Sequence, residues 1–119
     1  MQNVLLVEGD SVAADLATRF FSWQGYDTRR LMARNADSLD VETRYGIILI
    51  DFNTGGMAEE QFLDKIKKQW SEAALVFTAF KATARDATRL GIPHVLPKPF
   101  SVEQLSAFFI HLRQQFNKF

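Results

Sequence analysis

The sequence predicts an α/β protein: a doubly wound parallel sheet of five strands covered by helices on both faces, a three-layer (βα)5 arrangement. Short, continuously apolar runs alternate along the chain with longer amphipathic runs. A continuously apolar strand is buried on both faces, which a parallel sheet between two helical layers provides. Because crossovers between parallel strands are right-handed, the alternation leads to a doubly wound sheet.

The composition fits one folded domain spanning residues 1–119, with 47% apolar residues and 11 Phe to fill a core. The 14 basic residues balance 14 acidic ones, so bulk attraction to nucleic acid or to a membrane is not indicated. Without cysteine, disulfides, thiolate metal sites and a cysteine nucleophile are excluded. The first apolar run is too short for a signal peptide or a membrane-spanning helix, so we expect a cytoplasmic protein.

Apolar periodicity places the individual elements. Strands are predicted at residues 4–7, 28–32, 47–50, 74–77 and 94–96. Helices are predicted at residues 11–24, 35–44, 58–70, 82–90 and 101–116. Gly25 and Gly91 are expected to end the helices that precede them, and Ser101 with Gln104 fits a capping box.

Three of the predicted helices have apolar stripes that we expect to face the sheet. In the first helix the stripe is Val12, Leu16, Phe20 and Trp23; in the helix at 58–70 it is Phe62, Ile66 and Trp70; in the last helix it is Val102, Leu105, Phe109, Leu112 and Phe116. Phe108, Ile110 and Phe119 lie off the last stripe and are either ordinary surface residues or part of a partner surface.

Polar side chains follow four of the predicted strands, at the edge where doubly wound sheets bind ligands. They are Glu8, Asp10, Asp51, Thr78 and Lys98. Each has a purely structural alternative: Asp10 can cap the first helix, Asp51 can cap a turn with Asn53, and Lys98 can be a solvated charge. Their joint position at one edge favours a functional site.

Such a set fits phosphoryl transfer to a carboxylate. Clustered acids bind a hard cation such as Mg²⁺ through oxygen, and the cation and a lysine neutralise the incoming phosphoryl group. A carboxylate can act as the nucleophile and become an aspartyl-phosphate. A nearby hydroxyl can then bind the phosphoryl oxygens and report the event by moving.

With these residues the chain resembles the response-regulator receiver domain of two-component signalling over essentially its whole length. The matching segments are VLLVEGD at 4–10, IILIDFNTGGM at 47–57, LVFTAF at 75–80 and VLPKPFS at 95–101. The resemblance implies a flavodoxin-like strand order and a cis peptide bond between Lys98 and Pro99.

The resemblance also implies roles for individual residues. Asp51 would be the phosphoacceptor, Thr78 the switch hydroxyl and Lys98 the phosphate contact. Glu8, Asp10, Asp51 and the backbone carbonyl of Asn53 would hold Mg²⁺.

Four departures from the family pattern bear on function. Gly9 stands where a direct metal ligand normally sits, which weakens Mg²⁺ binding unless the glycine lets Asp10 reach inward. The glycines of the TGG run at 54–56 loosen the loop after Asp51. Val95 stands where an aromatic switch residue is common, and the segment between Thr78 and Gly91 is short, so the fourth helix is expected to be small or displaced.

We therefore expect a phosphorelay component that is not an enzyme. A histidine kinase or phosphotransfer protein would place a phosphoryl group on Asp51. Phosphorylation would then switch a surface that binds a downstream protein or output domain. A homodimer through the fourth and fifth helices is a further expectation, without direct binding to nucleic acid or membrane. The alternative is a pseudo-receiver that binds proteins independently of phosphorylation. The chain is either a single-domain regulator or one domain of a longer protein.

Two other kinds of site are disfavoured. The loop EGDSVA has acids where an FMN phosphate loop needs glycines and N–H donors, and a hydrolase using an aspartyl-phosphate lacks its second acid at Asn53. His94 and His111 have no ligand-like spacing and are assigned no metal.

Overall fold

A computed structural model describes residues 3–32, 42–52, 59–80, 85, 89, 91 and 94–116. The strands are β1 Asn3–Val7, β2 Asp27–Leu31, β3 Ile47–Asp51, β4 Ala74–Phe80 and β5 Val95–Lys98. The helices with described bounds are α1 Ser11–Trp23, α2 Glu59–Gln69 and α3 Val102–Phe116. Most of the helices predicted at 35–44 and 82–90 lies outside the described residues, as do Asn53 and the TGG run at 54–56. Residues 42–44 are described and are not helical, so the first of these helices does not extend to its predicted end, whereas Arg85 and Arg89 are helical.

The strands form one parallel sheet in the order β2-β1-β3-β4-β5, which confirms the predicted doubly wound, flavodoxin-like fold. Strand β4 continues to Phe80, three residues beyond its predicted end. The strand is longer than predicted because β4 also pairs with β5, where Phe80 is in register with Lys98. Thr78 therefore lies within a strand rather than after one.

The core consists of two layers, one on each face of the sheet. Alternate residues of each strand point to opposite faces, so Leu6 and Leu49 pack with α1 and α3, whereas Leu5 and Ile48 pack with α2. This double burial explains why the central strands are continuously apolar in sequence. Within the described residues, no helix is long and apolar enough to cross a membrane.

The stripe predicted for α1 is wrong except at Phe20. Val12 is 77% exposed and Trp23 is 69% exposed, while the buried residues of this helix are Ala14, Ala17, Phe20 and Phe21. The two alanines have small side chains that let the helix approach the sheet closely. The two phenylalanine rings then pack edge-to-face on Phe109 of α3, with centroid distances of 5.6 Å and 5.7 Å.

The other packing and capping predictions are confirmed where the residues are described. Phe62, Ile66 and Trp70 are buried under α2. Leu105, Phe109 and Leu112 form the buried stripe of α3, Val102 is partly buried against them, and the side chain of Phe116 is outside the described part of the structure.

Two of the three termini that were predicted from capping residues are present; Gly91, with a φ of 78°, is described without its direct neighbours. Gly25 follows α1 with a φ of 87°, a conformation that glycine adopts without steric cost. At the start of α3 the Ser101 hydroxyl accepts from the Gln104 N–H at 3.1 Å, and the Gln104 side chain accepts from the Ser101 N–H at 2.8 Å.

The α2 layer depends on Phe62, which is 0% exposed. We expect Phe62→Ala to lower the free energy of unfolding by about 3–5 kcal/mol, because it removes a buried ring and leaves a cavity. Urea denaturation measures the change. Glu60→Ala, an exposed position on the same helix, is the matched control and should change the value by less than about 0.5 kcal/mol. Equal effects of the two substitutions would contradict the packing.

Candidate functional site

Three neighbouring strands bring polar side chains to one edge of the sheet. Asp51 is the last residue of β3 and is in register with Thr78 of β4. Val7 of β1 is in register with Ile50, so Glu8, one residue further on, lies level with Asp51. Adjacent strands are about 4.8 Å apart, which places the three side chains within reach of one ligand.

Lys98, at the end of β5, joins the two carboxylates of this edge. Its Nζ lies 3.0 Å from Glu8 Oε1 and 3.1 Å from Glu8 Oε2, and 3.4 Å from Asp51 Oδ1. Only 1% of Glu8, 5% of Asp51 and 8% of Lys98 is exposed. The ring of Phe80 lies beside the ammonium, with its centroid 5.2 Å from Nζ. The ammonium is thus a buried counter-ion shared by two acids. The Lys98–Pro99 peptide bond is cis, as expected from the resemblance.

Burial dominates the acid–base behaviour of Glu8. Loss of solvent raises the pKa of its carboxyl above the ordinary value, and the nearby charge of Asp51 raises it further. Hydrogen bonds from Lys98 and from the Asp10 N–H oppose this increase in pKa without cancelling it. The pocket therefore makes proton loss from Glu8 less favourable than from an exposed glutamate, and any added positive charge would offset part of that effect.

Asp10 acts as the cap of α1, the structural alternative noted for it above. Its Oδ2 accepts a hydrogen bond from the Ala13 N–H at 3.0 Å, and its own N–H donates to Glu8 Oε2 at 3.1 Å. The residue is exposed. Its role as a metal ligand stays a prediction, because such a role would require the side chain to leave the cap.

Arg30 of β2 is a site residue that sequence reasoning missed. Its Nε donates to the Glu8 carbonyl at 3.0 Å, and its Nη2 donates to the Gly9 carbonyl at 3.4 Å. The guanidinium therefore holds the loop formed by Glu8 and Gly9. No sequence signal pointed to it, since an arginine in the polar run DTRRL belongs to no motif.

Thr78 places a buried hydroxyl beside Asp51. The residue is 2% exposed, and its Oγ1 finds no hydrogen-bond partner within the described part of the chain. A buried hydroxyl left without a partner costs about 1–3 kcal/mol. An oxygen-rich ligand bound at Asp51 would supply the missing acceptor.

The donor set fits a weakly held Mg²⁺. This ion is usually bound by one or two carboxylates together with water and phosphate oxygens, and Glu8 and Asp51 supply two buried carboxylates at one point. Among the described residues there is no group of three acidic or histidine side chains placed to hold a metal. Gly9 contributes no ligand, and Asn53 lies outside the described residues.

His94 and His111 are brought together although they are distant in sequence. Their ring centroids are 6.4 Å apart, and the His94 ring also meets Phe108 at 6.4 Å. Burial lowers the pKa of His94, and the charge of His111 lowers it further. The pair packs β5 against α3 and takes no part in the acidic edge.

The Glu8 carboxyl should leave a signature in the pH dependence of stability. Its pKa is raised above 4.5 on folding, so the folded state keeps a proton that the unfolded state has lost. Its contribution to stability is therefore present at low pH and is lost as pH rises from about 4.5 through the raised pKa. We therefore expect the unfolding free energy of wild type, minus that of Glu8→Gln, to decrease as pH rises through this window. Urea denaturation from about pH 4 to about pH 8 measures it, and a difference that grows with pH would contradict the assignment.

The Thr78 hydroxyl, which has no hydrogen-bond partner among the described residues, should lower the stability of the protein. We expect Thr78→Val, which keeps the shape of the side chain, to raise the free energy of unfolding by about 1 kcal/mol because no buried polar group is left unsatisfied. Thermal or urea denaturation measures the change. Thr18→Val at an exposed position of α1 is the control, with an expected change below about 0.5 kcal/mol. Destabilisation by Thr78→Val would show that the hydroxyl has a partner.

Comparisons with protein-family models and with curated protein sequences find no match for this chain. Solved structures do match. A CheY-like response-regulator receiver domain from Methanospirillum hungatei has a TM-score of 0.79 and 15% identity, covering 99% of this chain and 98% of that one. An adenylate cyclase structure from Rhodopirellula baltica has a TM-score of 0.77 and 16% identity, covering 98% and 90%. A response regulator from Burkholderia pseudomallei has a TM-score of 0.71 and 21% identity, covering 99% and 75%.

These similarities cover nearly the whole chain. The chain has the fold of the receiver domains of response regulators.

Proposed function

We propose that this chain is a receiver of two-component signalling that accepts a phosphoryl group on Asp51 from a phosphohistidine of a kinase or phosphotransfer protein. The observation that supports this most directly is the surroundings of Asp51. A lysine ammonium lies 3.4 Å from its carboxylate, and a buried hydroxyl without a described partner occupies the adjacent position on β4. Both groups suit a phosphoryl group better than they suit a bare carboxylate.

The chain's own residues supply the chemistry on the acceptor side. An oxygen of the Asp51 carboxylate attacks phosphorus, so that an O–P bond forms while the P–N bond to the donor histidine breaks, and the leaving imidazole takes up a proton. Lys98 offsets charge on the transferred group, since an ammonium can bind the phosphoryl oxygens. The Thr78 hydroxyl donates a hydrogen bond to a phosphoryl oxygen. The chain is the substrate of this transfer and not an enzyme.

Mg²⁺ is the cation proposed for this step, held by Glu8 and Asp51 with the carbonyl of Asn53, and by Asp10 if that side chain leaves the helix cap. When bound, it supplies charge neutralisation for the phosphoryl group. The response regulator from Burkholderia pseudomallei, a similar structure, holds a phosphorylated aspartic acid and a calcium ion. That precedent, on the same fold, supports a divalent cation beside the phosphorylated residue here.

Phosphorylation is proposed to act on β4 and β5. Thr78 and Lys98 lie on these neighbouring strands, so a hydrogen bond from each to the phosphoryl group would favour one arrangement of the strand ends over another. Val95, three residues before Lys98, is partly buried against the core, so the response would not use an aromatic side chain at that place. The altered surface would be read by a downstream protein or output domain.

A phosphorylation-independent protein-binding module is the second candidate, and a specific observation favours it. Lys98 binds both oxygens of Glu8 and also reaches Asp51, while Gly9 adds no carboxylate. The ion pairs alone can hold the acidic edge together without a cation. The fold does not decide between the candidates, since a fold by itself does not determine function.

Intact-protein mass spectrometry after treatment with acetyl phosphate distinguishes the two candidates. We expect wild type to gain one phosphoryl group in the presence of Mg²⁺ and to gain much less after chelation with EDTA, because removing the cation leaves charge on the phosphoryl group unneutralised. Asp51→Asn should gain none, since an amide is not a competent nucleophile.

Controls separate loss of the site from loss of the fold. Asp64→Asn, at an exposed acid on α2, should be phosphorylated like wild type. A wild-type chain that gains no phosphoryl group from acetyl phosphate or from a phosphohistidine donor, while remaining folded by circular dichroism, would contradict the proposed function and favour the binding module.

A further inference from the structure

Helix α1 has a second apolar face, directed away from the sheet. Val12, Leu16, Arg19 and Trp23 are spaced by four, three and four residues, the spacing of a coiled-coil seam. At about 100° per residue, this seam lies on the side of the helix opposite the buried alanines. The two ends of the seam, Val12 and Trp23, are among the most exposed large apolar residues of the described chain.

The seam borders a groove between α1 and the segment that joins β5 to α3. The groove has a volume of ≈ 530 Å³ and is lined on its apolar side by Val12, Leu16, Phe80, Pro99 and Phe100. Phe80 is 47% exposed at its wall. A continuous surface of this kind, seam and groove together, is typical of an interaction site rather than of scattered surface residues.

We propose that two copies of this chain associate through this face, with their α1 helices antiparallel across a two-fold axis. The seam is self-complementary about a point between residues 17 and 18. In the antiparallel arrangement Trp23 of one copy meets Val12 of the other, and Leu16 meets the aliphatic stem of Arg19. A two-fold interface uses the same patch twice, as this seam requires.

Charge supports the same orientation. Asp15 and Arg19 are both exposed: Arg19 belongs to the seam, and Asp15 lies beside the seam, one turn before Arg19. Antiparallel pairing brings Asp15 of one copy beside Arg19 of the other at two equivalent places, whereas parallel pairing would set like charges against each other. Opposite charges across an interface determine its register and exclude the wrong arrangement.

The groove gives the interface an anchor. Val12 lies in the groove wall. Because Trp23 of the second copy packs against Val12 in the antiparallel arrangement, its indole reaches the groove. Tryptophans that fill pockets of an interface are enriched among the residues that contribute most to binding energy. This inference does not depend on the proposed phosphorylation of Asp51. It also uses a different face from the fourth and fifth helices, through which a homodimer is expected from the sequence.

Sedimentation velocity of the full chain over a range of concentrations, from micromolar to millimolar, tests the proposal. We expect wild type to shift from monomer to dimer as concentration rises. Trp23→Ser should weaken association by at least about tenfold, as expected for loss of an anchoring residue. Ile110→Ser, at an apolar residue of α3 that is 54% exposed, is the matched control and should dimerise like wild type.

A charge swap tests the antiparallel orientation. Asp15→Arg alone and Arg19→Asp alone should each weaken the dimer, and the double variant Asp15→Arg/Arg19→Asp should restore it. Both positions are exposed, so the variants are expected to fold, and urea denaturation verifies this independently. A chain that stays monomeric at every concentration would overturn the proposal. A dimer lost in Ile110→Ser and kept in Trp23→Ser, or a double variant that is no better than the single ones, would overturn it as well.

Discussion

The buried ammonium of Lys98 is the constraint on which the functional edge depends. It brings together one residue from β1 and one from β3, at 3.0 Å from Glu8 and 3.4 Å from Asp51, and it does so from the far edge of the sheet. Burying three charges is costly, and burial raises the pKa of Glu8 in spite of its hydrogen bonds from Lys98. Removing one partner of the ion pair would cost more free energy than burying the intact pair, since the remaining charges would be left buried without compensation.

The same constraint connects the fold to the proposed chemistry. A phosphoryl group on Asp51 would bring new oxygens to an ammonium that already serves two acids and to a Thr78 hydroxyl that has no described acceptor. Binding these oxygens would require Lys98 to redistribute its hydrogen bonds away from Glu8. Because Lys98 and Thr78 belong to β5 and β4, that redistribution acts on the strands farthest from the Gly9 loop. Arg30 binds the Glu8 and Gly9 carbonyls of that loop and would keep it in place during such a change.

Much of this arrangement is predictable from sequence, because the constraints are local. Continuous apolar runs specify buried strands, and Ser101 with Gln104 specifies a cap. The orientation of α1 is not predictable in this way. Two apolar stripes are present on that helix at helical spacing, and only tertiary packing selects the alanine face over the one with Val12. Asp10 illustrates the same limit, since a carboxylate at that position serves equally as a helix cap or as a metal ligand until the backbone geometry decides.

The most direct measurement of the central claim is a double-mutant cycle on the free energy of unfolding with Lys98→Met and Glu8→Gln. We expect Lys98→Met alone to destabilise the protein by about 3–5 kcal/mol, because it leaves buried acids without a counter-ion. The same change in a Glu8→Gln background should cost at least about 1 kcal/mol less, since one of those acids is then gone. Lys65→Met, at an exposed lysine on α2, controls for loss of a surface charge. Additive effects of the two substitutions, or equal effects of Lys98→Met and Lys65→Met, would contradict the claim that Lys98 organises this edge.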